Sequence, residues 1–156
     1  MNLLRNINVI KATTAHMTAA ATALSKAIDM SGYEGCIFIA VGSTLLAATT
    51  GSTAGNTKTQ LYVKSSTAAA GTYVRNLGYA ASSSGLAAGV NKRLLVLDVY
   101  KPTDRYLKAM LKGSSAANYI DGIIAIQYGP KRPGSSALQN STTVTGSTVY
   151  VSPTTA

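Results

Sequence analysis

A chain of 156 residues and 16.0 kDa has room for one buried core and not for two, so a single domain is the starting expectation. Only 12% of residues are charged, about half the usual share for a soluble chain, which leaves a surface made polar by Ser, Thr and backbone groups. Fourteen Lys and Arg against five Asp and Glu give a formal charge of +9, a field that favours acidic partners: nucleic acid, an anionic membrane or an acidic protein lattice.

Met1-Asn2-Leu3-Leu4-Arg5-Asn6 is not followed by an unbroken apolar stretch with a cleavage site, so no signal peptide is expected and synthesis in a cytoplasm is the simplest reading. From Leu4 to Lys11, Ile7 and Val9 lie two apart with Arg5 and Lys11 at the same parity, the pattern of an edge strand with charged ends. Thr18 to Asp29 is Ala-rich, which helix propensity would allow, but its Ala-Thr repetition is read as a small-residue strand. Tyr33 to Val41 follows the turn-like Ser31-Gly32 and carries the continuous apolar run Cys36 to Val41, as in a strand covered on both faces. The uncharged Gly35 to Thr57 is long enough to span a bilayer, but its Gly, Ser and Thr content argues against a membrane helix. Gly42 to Asn56 reads as a loop or short helical turn at a sheet end.

Gln60 to Lys64 alternates Leu61 and Val63 against Tyr62 and Lys64, a half-buried strand. A weaker strand is expected around Tyr73 to Leu77, followed by a loop at Ser82-Ser83-Ser84-Gly85. The strongest pattern, Lys92 to Leu111, has two apolar runs divided by Lys101-Pro102-Thr103-Asp104. Pro cannot donate to a ladder, so the break is a turn, and the two runs are read as an antiparallel pair. Leu95, Leu97 and Val99 share one face of the first run, and Leu107, Ala109 and Leu111 share one face of the second. Tyr119 to Tyr128 is a further strand closed by Gly129-Pro130, with a bulge expected at Gly122. Residues 135–156 carry no charge and form an expected C-terminal arm. The predicted fold is a single-domain antiparallel β-sandwich over 1–134, all-β and jelly-roll-like, with seven to nine short strands and the arm 135–156.

Chemistry-bearing residues are sparse: one His, one Cys and the carboxylates Asp29, Glu34, Asp98, Asp104 and Asp121. His16 stands in a polar stretch and reads as solvated, not as a general base. Cys36 lies in an apolar run and reads as a small buried filler. No ligand spacing suggests a metal, and Gly51 to Thr59 has the wrong spacing for a phosphate-binding P-loop. The sequon Asn140-Ser141-Thr142 reads as tail composition. No catalytic, cofactor-binding or metal site is therefore expected, and no enzyme. Basic residues interleaved with tyrosines are the one binding signal: Tyr100, Lys101, Arg105, Tyr106 and Lys108, then Tyr128, Lys131 and Arg132.

The blocks KRLLVLDVYKPTDRYLKAML (92–111), YIDGIIAIQYGPKRPG (119–134) and, more weakly, DMSGYEGCIFIAVG (29–42) resemble a family of small capsid cement, or decoration, proteins of short-tailed bacteriophages. The resemblance covers under half of the chain. It implies a jelly-roll sandwich on the outer face of an HK97-type shell, bridging capsomers of the major capsid protein. It also implies self-association, as a homodimer or a trimer, and a virion location without a membrane. On this reading Lys101, Arg105, Lys108, Lys131 and Arg132 are candidate capsid-contact residues, meeting an acidic lattice. Alternatives are a head-fibre base or tail-associated virion protein and a basic nucleic-acid-binding β-barrel, the last requiring affinity that falls steeply with salt.

Overall fold

Short apolar runs rich in Val, Ile and aromatic residues, cut by Gly, Ser and Thr, favour strands over helices because β-branched side chains suit a pleated surface. The computed structural model describes residues 7–13, 22–44, 60–81, 91–112 and 119–130, and within them the protein is all β. In chain order the strands are β1 (Ile7–Lys11), β2 (Thr22–Leu24), β3 (Ile28–Asp29), β4 (Tyr33–Thr44), β5 (Gln60–Ser66), β6 (Arg75–Ala81), β7 (Asn91–Tyr100), β8 (Tyr106–Lys112) and β9 (Tyr119–Pro130). They form two antiparallel sheets. Sheet A has the order β1-β9-β4-β7, and sheet B has the order β2-β8-β5-β6 with β3 also on β8. The expected β-sandwich is what the chain forms.

The two sheets enclose one core. Cys36, Phe38, Ala40, Leu95, Val99, Ile123 and Ala125 point inward from sheet A, and Ile28, Leu61, Val63, Leu107, Ala109 and Leu111 meet them from sheet B. The alternation read in Gln60 to Lys64 places Leu61 and Val63 inside, and of the faces read in 92–111, Leu95, Val99, Leu107, Ala109 and Leu111 are buried while Leu97 packs partly buried against the core. Among the described residues β1 is an edge strand, paired only with β9. The Ala-rich segment does supply strands, β2 and β3, and the bulge expected near Gly122 is present where β4 and β9 change register beside the Val41–Gly122 pair.

The expected pairing of the two runs in 92–111 is wrong. β7 pairs with β4, whereas β8 pairs with β2, β3 and β5. Residues 101–105 carry the chain from one sheet to the other. Lys101 takes φ +48 and donates its backbone N–H to the Glu34 carbonyl at 2.7 Å, while Met30 N–H reaches the Arg105 carbonyl at 2.8 Å. A period of two is the same for a hairpin and for two strands facing each other across a core, so the pattern alone does not select a partner. The expectation that β4 is covered on both faces also fails among the described residues: Ile37, Ile39 and Val41 are only half-buried.

Polar groups stitch the open edge where β1 approaches β3. Gln127, 1% exposed, accepts from Asn8 Nδ2 at 2.8 Å and donates to the Asp29 carbonyl at 2.6 Å. It thereby ties sheet A to sheet B. Lys26 N–H donates to the Ala12 carbonyl at 2.8 Å, a second tie at that edge. Ser25 fills the gap between β2 and β3: its N–H donates to the Ala109 carbonyl, its Oγ accepts from Ala109 N–H, and its hydroxyl donates to the Lys26 carbonyl, all at 2.8 Å. The arm 135–156, Leu45 to Thr59, the loop 82–85 and His16 lie outside the described residues. Ser25→Ala leaves the buried Ala109 N–H without its acceptor and is expected to lower unfolding free energy by about 1–3 kcal/mol in a urea titration, with the slope unchanged.

Candidate interaction surfaces

The sandwich presents two unlike outer faces. On sheet B, the outward positions of β5 and β8 bring Tyr62, Lys64, Tyr106, Lys108 and Met110 to one surface, with Lys64 directly opposite Lys108 and Tyr62 opposite Met110. Like charges opposed across a strand pair are mildly unfavourable. Lys108 is held over the Tyr73 ring, Nζ 4.5 Å from its centroid, and Tyr73 Oη donates to the Ala69 carbonyl at 2.8 Å. Burial pushes the Tyr62 and Tyr73 hydroxyls above their ordinary pKa. Neither Lys64 nor Lys108 has a carboxylate partner among the described residues. Among the described residues, two ammonium groups flanked by aromatic rings therefore leave this face with an excess of positive charge.

Where this face meets the sheet-crossing turns, Arg105 grips Asp29 through two hydrogen bonds of 2.9 and 2.8 Å and lies over the Tyr106 ring at 5.1 Å. A forked guanidinium–carboxylate pair is geometrically specific, but both side chains are about half exposed, so it orders the crossings more than it stabilises the fold. Beside it, Lys101, Glu34, Asp104 and Arg105 surround an open cleft of about 510 Å³. Two cations and two carboxylates there leave no net preference for one sign. Asp104 is engaged by the Ser65 hydroxyl at 2.5 Å and lies 3.9 Å from Arg75.

The outer face of sheet A is apolar. Reading across β1, β9, β4 and β7, its rows are Ile7, Tyr128, Gly35 and Tyr100; then Val9, Ile126, Ile37 and Asp98; then Lys11, Ile124, Ile39 and Val96; and finally Gly122, Val41 and Leu94 on the last three strands. Leu94, Val96 and Tyr100 are more than half exposed. The Tyr128 ring lies across Gly35, where a Cβ would stand 2.2 Å from the ring, and its hydroxyl donates to Asp98 Oδ1 at 2.7 Å. Burial first, and then the Asp98 carboxylate, push the Tyr128 hydroxyl well above its ordinary pKa. Gly35 is therefore required by a close approach, not by a turn.

The three candidate cations among the described residues divide between two places. Lys101 and Arg105 share the cleft at the sheet crossing, Lys108 lies on the outer face of sheet B, and Lys131 and Arg132 lie outside the described residues. The tyrosines divide likewise, with Tyr100 and Tyr128 on sheet A and Tyr106 on sheet B. Lys64 and Tyr73 were not singled out in the sequence, because Lys64 meets Lys108 only through the non-local pairing of β5 with β8. Cys36 is wholly buried, and burial pushes its thiol up to about 12, consistent with a filler role. No three metal-ligating side chains converge among the described residues.

No protein-family model matches the chain, and no curated protein is similar to it in sequence.

Asp29 is held below the usual carboxylate range chiefly by the Arg105 hydrogen bonds, opposed by burial and aided by the Ser31 N–H. A depressed folded-state pKa contributes stability above the unfolded value of about 3.9 and loses it as pH falls through the folded value. Arg105→Ala is expected to raise the Asp29 titration midpoint toward 3.9, read by carboxyl carbon NMR, and to shrink that acid-range loss of stability.

Proposed function

We propose that this chain is a structural virion protein, a cement protein on the outer surface of an HK97-type bacteriophage capsid that bridges and stabilises capsomers of the major capsid protein. The observation that carries the reading is the outer face of sheet B, where Lys64 and Lys108 stand side by side among Tyr62, Tyr73 and Tyr106 with no carboxylate among the described residues to neutralise them. Such a face suits an acidic protein lattice: apolar ring area and lysine stems make contact, and unspent charge steers encounter. Strand order supports the jelly-roll form of the sandwich. With β2 and β3 counted as one interrupted strand, the chain alternates between sheets as 1-8-3-6 and 2-7-4-5, the eight-strand arrangement of two Greek keys.

Function on this reading needs no reaction. Each contact is weak, and symmetry repeats it over the shell, so that avidity replaces single-site affinity. Because the protein binds the assembled lattice better than its dispersed or unexpanded forms, occupancy stabilises the lattice by mass action. At the crossing, Lys101 adds a cation beside the face, while Arg105 is engaged by Asp29 and contributes its Tyr106-stacked guanidinium plane and not free charge. The same tyrosines and lysines also fit stacking and phosphate contacts with a single-stranded nucleic acid, so the test separates the two.

The test is quantitative mass spectrometry of particles purified from lysates containing the chain, together with binding of the purified protein to shells that lack it and to single-stranded DNA. A ratio to the major capsid protein near one lattice-wide complement supports the cement role; a few copies per particle would assign a vertex, fibre or tail position instead. Absence from particles together with salt-sensitive DNA binding would overturn the reading. Lys64→Glu with Lys108→Glu is expected to reduce shell occupancy at least tenfold at moderate salt, and undiminished occupancy would remove the face from the contact.

A further inference from the structure

We propose that residues 142–151 of this chain add to sheet A as a fifth strand, antiparallel to β7 along the edge that faces away from β4. The inference holds or fails independently of the capsid assignment, since it concerns the isolated protein.

Among the described residues the strand order ends at β7, which pairs on one side only, with β4. Edge backbone is a template for another strand, and natural sheets blunt it with short strands, bulges or charge. The other edges of the sandwich carry such devices. β1 has five residues and β2 three, and β6 bulges where Leu77 has no partner on β5, beside Gly78 at φ +155. β7 lacks them from Leu94 to Tyr100. It is ten residues long, its pairing with β4 keeps one register from Tyr100 to Arg93, and Leu94, Val96 and Tyr100 stand more than half exposed along it. Asp98 is the one charge in that stretch, and its carboxylate is taken by the Tyr128 hydroxyl within the sheet.

The complement lies in the same chain. Residues 135–156 are uncharged, and eight of the ten from Thr142 to Val151 are β-branched or aromatic, the composition that suits a strand. Pro153 bounds the run, because proline cannot donate to a ladder. In length the run equals β7. Left apart, an open edge and a strand-forming uncharged segment are each aggregation hazards, and pairing them removes both.

Reach and direction select β7. Tyr128, Gly35 and Tyr100 lie in one row across β9, β4 and β7, so β9 delivers the chain to the end of the sheet where β7 finishes. A strand beyond β7 lies three strand spacings from β9, roughly 14 Å. Residues 131–141 span up to about 36 Å when extended. Entering there, the segment runs from the Tyr100 end toward Asn91, opposite to β7. Beside β1, whose Ile7 shares the same row, it would run parallel, the less stable pairing. So short a tether also holds the segment at an effective concentration of about a millimolar near its own edge, which favours this chain's β7 over that of another copy.

The experiment is amide hydrogen exchange by NMR on the full chain, with the double variant Thr148→Pro, Val149→Pro and, as control, Ala137→Pro in the tether. Of two adjacent residues in a strand one donates to a given neighbour, so the double variant removes a ladder donor in either register. In the wild type, β7 amides that do not bond to β4 are expected to exchange at least 100-fold more slowly than unstructured backbone. The double variant is expected to speed them at least tenfold and to leave the amides between β4 and β9 unchanged, and Ala137→Pro to change neither. A measurement that needs no variant stands beside it: nuclear Overhauser contacts joining 142–151 to 91–100 in antiparallel order, within one molecule in a sample of mixed isotope labels. Unprotected β7 edge amides overturn the proposal, as does protection that the double variant leaves intact. Contacts of 142–151 with β1, or with β7 of a second chain only, overturn it equally.

Discussion

Strict alternation of side chains along a strand is the constraint on which this molecule depends. In β4 it sends Cys36, Phe38 and Ala40 into the core and, with the same regularity, sends Ile37, Ile39 and Val41 outward. Sheet A therefore has apolar side chains on both faces, as sheets do when something lies against each side. Sheet B obeys the same rule with a different composition: Leu61 and Val63 go in, and Tyr62 and Lys64 go out. One geometrical rule and two compositions give a sandwich with a greasy side and a cationic, aromatic side.

How much of this was legible in the sequence depends on the range of the interaction. Strand existence and parity are local properties, and β1, β4, β5, β7, β8 and β9 were readable from apolar runs and from breaks at Gly and Pro. Partnership is not local. The Arg105 and Asp29 side chains meet across 76 positions, and Gln127 reaches Asp29 across 98. Nothing in either neighbourhood announces the other. The mistaken hairpin at 92–111 has the same origin: a five-residue connection with Pro102 suits a turn within a sheet and a crossing between sheets equally well. The candidate cations were legible as a composition, but the face that holds two lysines in register required the pairing of β5 with β8.

Continuous apolar runs also proved ambiguous in an instructive way. The run from Cys36 to Val41 implies cover on both faces, and the described residues supply it on one. Sequence recorded the need for a neighbour without recording whose atoms provide it. Polar side chains in the core edge are similarly opaque: Ser25 and Gln127 look like surface residues in a one-dimensional reading, yet Ser25 satisfies the Ala109 backbone where pairing along β8 lapses between β2 and β3, and Gln127 reaches the Asp29 carbonyl across the gap between the sheets.

The pairing of β1 with β9 has a mechanical consequence. Because Ile7 lies opposite Tyr128, the beginning and the end of the described sandwich sit side by side at one end of sheet A. A pull applied at those two points meets the hydrogen bonds of an antiparallel pair one after another and peels β1 away like a zip, since the bonds run perpendicular to the strands. A force delivered across the broad faces instead presses on all four strands of a sheet at once and is carried by the packed core between the sheets. The sandwich is thus soft when tugged at Ile7 and Tyr128 and stiff when squeezed between flat neighbours.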